Sequence, residues 1–421
     1  MNTRVVVIGA GASGLFAAGF LAQRGASVLV LEKTQRTAGK VRISGKGRCN
    51  LTNAVSVRDF PQNYKTNGRF LYSALHRFSN KDCIRFFENR GLRLKIERGQ
   101  RVFPCSNDAN QIADALENFA RENGARILFG EKVFKIQIGA KNRIEGVFSF
   151  NGAGSNFFPA ESVIVATGGM SYPGTGSSGD GYKLARDLGH KIIEPRPALV
   201  PLRTEEKWVR ELAGLSLKNV ELKLTDHRNQ NMVLFGELMF THFGLTGPIV
   251  LTASEQVGLW LRETKMPVSA AIDLKPALNE QQLDQRVLRD LQKYSRKHFL
   301  NSLGDLLPRK LIPVIISLST IPGDKPCHQI TKKERSLLVR LLKRLPLTII
   351  DTLPLASAIV TAGGVELSEI DPRRMESKLK RGLFFVGEVL DIHGVTGGFN
   401  LQAAFSTGYC AAHSVELETE G

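Results

Sequence analysis

The order of apolar and polar positions in the first 33 residues sets the terms for the whole chain. Val5, Val6, Val7 and Ile8 form an unbroken apolar run, the pattern of a strand covered on both faces. Gly9, Gly11 and Gly14 follow, then a small-residue helix to Arg24, a stop at Gly25, and a second apolar run from Val28 to Leu31 that ends in Glu32. Strand, helix, strand predicts a βαβ unit. Helical spacing then governs residues 67–91 (Leu71, Leu75, Phe78, Ile84, Phe86, Phe87), and Gly99 marks the turn of a short hairpin. Ser106, Asn107 and Asp108 signal the start of a helix that runs to Asn123 and stops at Gly124. Strands are expected at 126–128, 133–138 and 144–150, the last two joined through Gly139 to Arg143 as a hairpin.

Residues 162–169, SVIVATGG, read as another buried strand ending in small residues. The Pro-rich EPRPALVP around 193–201 reads as a hinge between domains. Beyond it, short alternating segments at 217–225, 232–240 and 268–274 predict a mainly antiparallel β domain. Residues 279–343 turn helical and charged, a small insertion with the look of a lid or partner surface. Strand-like material returns at 347–361 and closes in Ala362-Gly363-Gly364-Val365. Finally an apolar strand, Leu383 to Val386, meets a Gly-rich turn through Gly394, Gly397 and Gly398 and a helix starting near Asn400. This last piece closes the fold begun at the N-terminus, so the expected class is α/β with a discontinuous Rossmann-like domain.

The glycines carry the candidate chemistry. In a βαβ unit Gly9 permits a tight turn, Gly11 lets backbone approach a pyrophosphate, and Gly14 lets helix and strand pack closely, while Ala12 and Ser13 open a helix whose free N–H groups favour phosphate. Glu32, with Lys33 behind it, stands where an acid accepts hydrogen bonds from an adenosine ribose, which argues for FAD or NAD rather than NADP. The basic, Gly-rich stretch at 37–54 is expected as a loop folded back over the cofactor. Lys40 and Arg42 suit a pyrophosphate or an anionic substrate; Lys46, Arg48 and Asn50 are catalytic candidates near the ring, and Asn53 can bond a ring edge. Thr167 and Gly168 return close to the cofactor at a strand end. Gly387, Glu388 and Asp391 suit a ribitol chain, and Gly398, Phe399, Asn400 and Leu401 place a helix N-terminus against a flavin pyrimidine, where its dipole favours negative charge. A second formal GxGxxG at Gly174, Gly176 and Gly179 contains Pro173 and lacks a preceding strand, so it reads as a loop leading to a helix near Asp180. His242 and His393 are candidate proton donors, each weighed against an ordinary structural histidine.

Composition narrows the setting. At 421 residues the chain holds two or three domains. Five scattered cysteines without a CxxC pair argue against a disulfide framework or zinc site and for a reducing, cytoplasmic compartment. No stretch is long and apolar enough for a transmembrane segment. The formal charge of +17 favours anionic partners in general without choosing among dinucleotide phosphates, acidic substrates, nucleic acid or an anionic membrane. Its basic residues are spread, with local groups at 40–48, 332–344 and 373–381.

GAGASG with Glu32, SGKGRCNLTNA, ATGGMSYPGTGSSGDGY, THFGLTGP, VTAGGV and GEVLDIHGVTGGFNLQAAFSTG occur in this order over almost the whole chain. In these motifs it resembles the HI0933-like flavoproteins (YhiN/BaiN-like, aminoacetone oxidase-like), within the two-dinucleotide-binding-domain class. Met170 and Ser178 stand where other small or polar residues would be expected. The resemblance implies a GR2-type FAD-binding domain at 1–193 and 357–421, an inserted β-barrel-like domain at 194–276 and 344–356, and a small helical domain at 277–343. It also implies that backbone at Val133 reads adenine, that FAD is tightly bound, and that NAD(P)H is a transient electron donor. Bile-acid-type enone reduction belongs to one branch of the family and is not transferred here.

The expected function is an FAD-dependent oxidoreductase that passes hydride through flavin N5 to an unsaturated or carbonyl-conjugated small-molecule substrate. The alternatives are a flavin-dependent amine oxidase and a non-catalytic flavoprotein that docks nucleic acid or anionic membrane through its basic surface. Nothing in the sequence fixes the oligomeric state.

Overall fold

The computed structural model describes residues 3–417; the expected outer domain limits at 1 and 421 lie outside them. The chain divides into two compact units: residues up to Pro197 together with those from Leu355 onward, and Ala198–Pro354.

The first unit is built on a five-stranded parallel sheet. β1 (Arg4–Ile8) lies at its centre, followed in sequence by helix α1 (Ala12–Gln23) and β2 (Ser27–Glu32). The strand order is Leu383–Phe385, Ser162–Val165, β1, β2, Arg126–Phe129. Val5 pairs with Ser162 and Val28, and Val163 with Leu383, so strands separated by more than 200 residues in sequence lie side by side. Their side chains are buried almost throughout, which explains the unbroken apolar runs. α1 packs between the helices Ala109–Glu122 and Phe399–Ala412. Small residues make that approach feasible: a methyl on Gly408 would sit 2.7 Å from the Ser13 carbonyl oxygen. Phe16, Phe20, Phe78, Phe86 and Phe119 interlock edge to face in the same layer, and Phe405 packs tilted against Phe16. An antiparallel meander (Lys132–Ile138, Ile144–Phe150, Ser155–Pro159) and a three-stranded sheet (Thr52–Asn53, Leu94–Glu97, Arg101–Pro104) complete the unit.

The 37–54 stretch is not simply a loop: Gly39–Gly47 is a short helix, broken from Ser44 to Lys46, where Gly45 and Lys46 take positive φ. EPRPALVP, expected as a hinge between domains, begins within the strand Ile192–Ala198 paired with Val360–Val365, and the division between the two units falls within it, after Pro197.

The second unit contains a closed six-stranded antiparallel barrel. Its order is Leu202–Thr204, Gly244–Thr246, Asn231–Phe240, Ser216–Thr225, Val268–Asp273 and Leu345–Thr352, the last pairing back on the first. Closure removes exposed strand edges. Leu222, Leu224, Ile272 and Ile349 from the barrel share one core with Leu283, Val287, Leu338 and Leu342 from the helices Glu280–Lys293 and Lys332–Lys343. The helix Pro248–Thr264 also packs on the barrel, within the stretch expected as a mainly antiparallel β domain.

Candidate functional site

β1, β2, Ser162–Val165 and Leu383–Phe385 run parallel, so their carboxyl ends share one edge, the usual place for ligands in such sheets. Gly9, Thr167, Gly168, Gly387 and Glu388 all lie just past those ends. Gly14 is the position where a side chain is least tolerable: its methyl would lie 2.0 Å from the Gly9 carbonyl oxygen. Gly11 is the N-cap of α1 and Gly398 that of Phe399–Ala412, and neither helix start has a side-chain cap. The N–H groups of Ala12 and Ser13 in one helix, and of Phe399, Asn400 and Leu401 in the other, thus carry uncompensated partial positive charge.

Glu32 is buried at the end of β2, 8% exposed. One carboxylate oxygen accepts from the Ala10 N–H at 2.8 Å; the other accepts from the Thr34 N–H and hydroxyl, each at 2.8 Å. Its geometry is therefore fixed before any ligand arrives. Lys33 pairs with Asp180 and donates to Ser178 at the start of the helix Asp180–Asp187. Thr167 Oγ1 is buried without a hydrogen-bond partner among the described residues. Val133 lies buried in the meander's first strand.

Glu388 is held more firmly than its strand-end position suggested. Lys40 Nζ donates to it at 2.8 Å, the Thr361 N–H at 2.8 Å and the Ser171 hydroxyl at 3.1 Å, while Lys40 also donates to Ser171 at 2.9 Å. Ser171 and Thr361 were missed from sequence as members of this cluster; ATGGMS and VTAGGV contain them, but only the fold joins the motifs. Asp391 accepts from the Gly363 N–H at 3.0 Å and from the Asn67 amide at 3.2 Å. Burial raises its carboxyl above the ordinary value, against the pull of the nearby His393 and the Gly363 N–H.

The glycine turn before the last helix is held from several sides. Gly398 has φ +96°, and a methyl there would lie 2.3 Å from the Thr52 carbonyl oxygen. With its amide nitrogen donating to the Val102 and Thr52 carbonyls, Asn50 accepts from the Gly398 N–H at 3.1 Å. Asn53 donates to the Gly397 carbonyl at 3.0 Å and Tyr64 to the Phe399 carbonyl at 2.9 Å. Asn400 spans Gly394, accepting from its N–H at 2.7 Å and donating to its carbonyl at 3.0 Å. Asn50 and Asn53 thus bond backbone of the turn that orients the helix.

The remaining chemical candidates divide. Arg48 is committed to Glu97, to the Asn107 side chain at 2.9 Å, and to the Phe103 ring 4.3 Å beneath it. Arg42 is likewise tied to Asn110 and Asp114. Lys46 is exposed on the kink of its helix. His393 is buried beside Asp391, whereas His242 is an exposed residue of the second unit stacked edge-on against Phe243. The described residues contain no His/Cys/Asp/Glu group suited to a metal ion and no helix long and apolar enough to cross a membrane.

With this geometry in view, the sequence profile of the HI0933-like protein Rossmann domain matches residues 3–414. The chain belongs to the HI0933-like family. A ribosomal RNA dihydrouridine synthase from Haemophilus influenzae is 34% identical over 417 residues, covering 98% of both chains. A 3-dehydro-bile acid delta(4,6)-reductase from Clostridium scindens is 32% identical over 415 residues, again covering 98% of both. The fold of this HI0933-like chain is similar to 3-ketosteroid delta1-dehydrogenase from Sterolibacterium denitrificans, with a TM-score of 0.55 at 14% identity, covering 97% of this chain and 98% of that one. The family is one of flavin-dependent oxidoreductases, and the chain is an oxidoreductase of Rossmann type. Its residues fit FAD: the cradle has no room for a side chain at Gly14, two helix starts are uncapped, and the buried Glu32 acceptor lies within the same edge.

Proposed function

We propose that this HI0933-like protein is an FAD-dependent reductase that saturates a carbon–carbon double bond conjugated to a carbonyl, with NAD(P)H as electron donor and a uridine of ribosomal RNA as substrate. The observation that carries the reading is the uncapped helix start at Gly11, on the sheet edge that also holds Glu32 and Glu388, together with a second uncapped start at Gly398 in the same unit. One start suits a pyrophosphate and the other a ring edge, and a flavin dinucleotide offers both.

When bound, the flavin supplies two-electron transfer between donor and substrate. The chain's own residues bind and orient. Glu32 would accept from the adenosine ribose, the N–H groups at the start of α1 would hold the pyrophosphate, and backbone at Val133 would take adenine. Glu388, oriented by Lys40, Ser171 and Thr361, would bond the ribitol. The N–H groups of Asn400 and Leu401 would take the pyrimidine edge, where the helix dipole favours negative charge. In the overall reaction a hydride and a proton add across the substrate double bond and the nicotinamide is oxidised by two electrons.

Two features support the substrate class. Dihydrouridine is uridine saturated at C5–C6, a bond conjugated to the C4 carbonyl, and the bile-acid relative is named for reduction in a 3-dehydro compound, so a conjugated double bond is common to both. The +17 charge favours a polyanion over a steroid acid with a single carboxylate. A cytoplasmic site, where RNA and NAD(P)H occur together, suits the five free thiols. A small steroid-like enone is the second reading, favoured by the 32% identity to the bile-acid reductase. Anaerobic mixing decides between them. Flavin reduced by NADH or NADPH should be reoxidised by protein-free ribosomal RNA, with dihydrouridine in the nuclease digest; reoxidation by a 3-oxo-Δ4 steroid alone would establish the second reading. Indifference to both nicotinamides would remove the proposed donor.

A further inference from the structure

The basic run at 332–344 has no part in the dinucleotide site, and the structure separates its charges into two sets. Lys332–Lys343 is a helix opened by a Thr331–Glu334 capping box. Arg335 turns inward and grips Asp284 at 2.7 and 3.0 Å. Lys343 also turns inward, donating to the Leu278 carbonyl at 2.7 Å and pairing with Asp273. The others face outward. Lys332, Lys333 and Arg340 are exposed and take part in no ion pair among the described residues, and Arg344, 77% exposed, reaches Glu280 only at 3.7 Å. Lys333, Leu337 and Arg340 fall at i, i+4 and i+7, so they share one face over about 10 Å of helix, and Arg344 extends it past the end. That face borders a groove of about 790 Å³, with Leu337, Arg340 and Arg344 on one side and Leu318, Ser319 and Thr320 on the other. Among the described residues Glu280 is the one carboxylate on its lining.

We propose that this face, Arg340 and Arg344 on the groove with Lys333 on the same helix face beyond its lining, docks the phosphate backbone of RNA. Lys333 and Arg340, in no ion pair among the described residues, and Arg344, held by Glu280 only at 3.7 Å, make a positive row that suits phosphate oxygens, which Arg and Lys hold without reading sequence. Among the described residues no aromatic side chain lines the groove, which fits backbone contact and not base stacking. The inference rests on the reading of ribosomal RNA as substrate, and it assigns to the helical part of the second unit the affinity for RNA and no part in the redox chemistry.

The test is binding of the FAD-loaded full chain to protein-free ribosomal RNA across a salt series. The triple variant K333E/R340E/R344E is compared with a control, K218E/K223E/R262E, that reverses three other exposed cations of the same unit. The groove variant is expected to lose at least about 10-fold in affinity near 0.1 M salt, with the log–log salt slope shallower by about 2–3. The control should bind RNA within about twofold of the native chain, and both variants should be reduced by NAD(P)H at the native rate. Equal loss in both triples would overturn the inference, because net charge would then be the cause. If the native chain binds and reduces RNA and the groove variant does so equally well, the inference fails and the substrate reading stands. If the native chain does not bind RNA at all, the substrate reading fails and the inference with it.

Discussion

Glu32→Gln is the sharpest test of how the cradle is held. The carboxylate presents acceptors on both oxygens, one to the Ala10 N–H and one to the Thr34 N–H and hydroxyl. An amide of the same shape offers one oxygen and one NH₂. Whichever way it turns, a backbone N–H must face a donor in a buried site, and the charge that strengthened the other bond is gone. Hydrogen bonds to charged groups contribute about 1.5–3 kcal/mol each, so the FAD-free protein should lose roughly that much stability in urea titration. Separately, the ribose loses an ionised acceptor, and FAD affinity measured by flavin fluorescence quenching should fall about 10-fold, equivalent to ~1.4 kcal/mol. Glu32→Gln with native stability and native FAD affinity would refute the assignment of both roles.

Gly14→Ala should be worse than an ordinary overpacked site, because the new methyl meets backbone at 2.0 Å and not a flexible side chain; a loss of about 1–3 kcal/mol or more, with failure to retain FAD on gel filtration, is expected. Lys40→Met and Glu388→Gln should each destabilise, and a double-mutant cycle by urea unfolding should return a coupling of about 0.5–3 kcal/mol, with zero coupling contradicting a functional ion pair. His190 is buried, and burial lowers its basicity even though its bond to Glu369 at 3.0 Å works in the other direction. The folded state therefore takes up a proton less readily than the unfolded chain, and stability should fall as pH drops below about 6.5. His190→Gln should flatten that acid limb in urea midpoints measured from pH 7.5 to 5; an unchanged limb would contradict it.

Local signals were legible in the sequence where their cause is local. The cradle, the 109–122 helix with its Asp108 cap, and the long barrel strands follow from spacing, capping and alternation within a dozen residues. The short helix at 39–47 was hidden because its three glycines carry low helix propensity and its last turns bend away from helical angles. EPRP became a strand because Val360–Val365 supplies a partner that no local rule reveals. Side-chain commitments were hidest of all: Lys40 finds Glu388 across 348 positions, and Arg48 finds Glu97 and Phe103 on a hairpin that propensity alone does not bring to it. Composition gave the +17 charge but not its arrangement, since only the fold shows which lysines and arginines of 332–344 are already paired.

The central claim is that the two uncapped helix starts and Glu32 hold an FAD that NAD(P)H can reduce. The anaerobic visible spectrum of the purified chain, recorded before and after addition of NADH or NADPH, tests it most directly. A bound-flavin spectrum that bleaches with either nicotinamide is expected; a colourless protein that takes up no added FAD would contradict the claim.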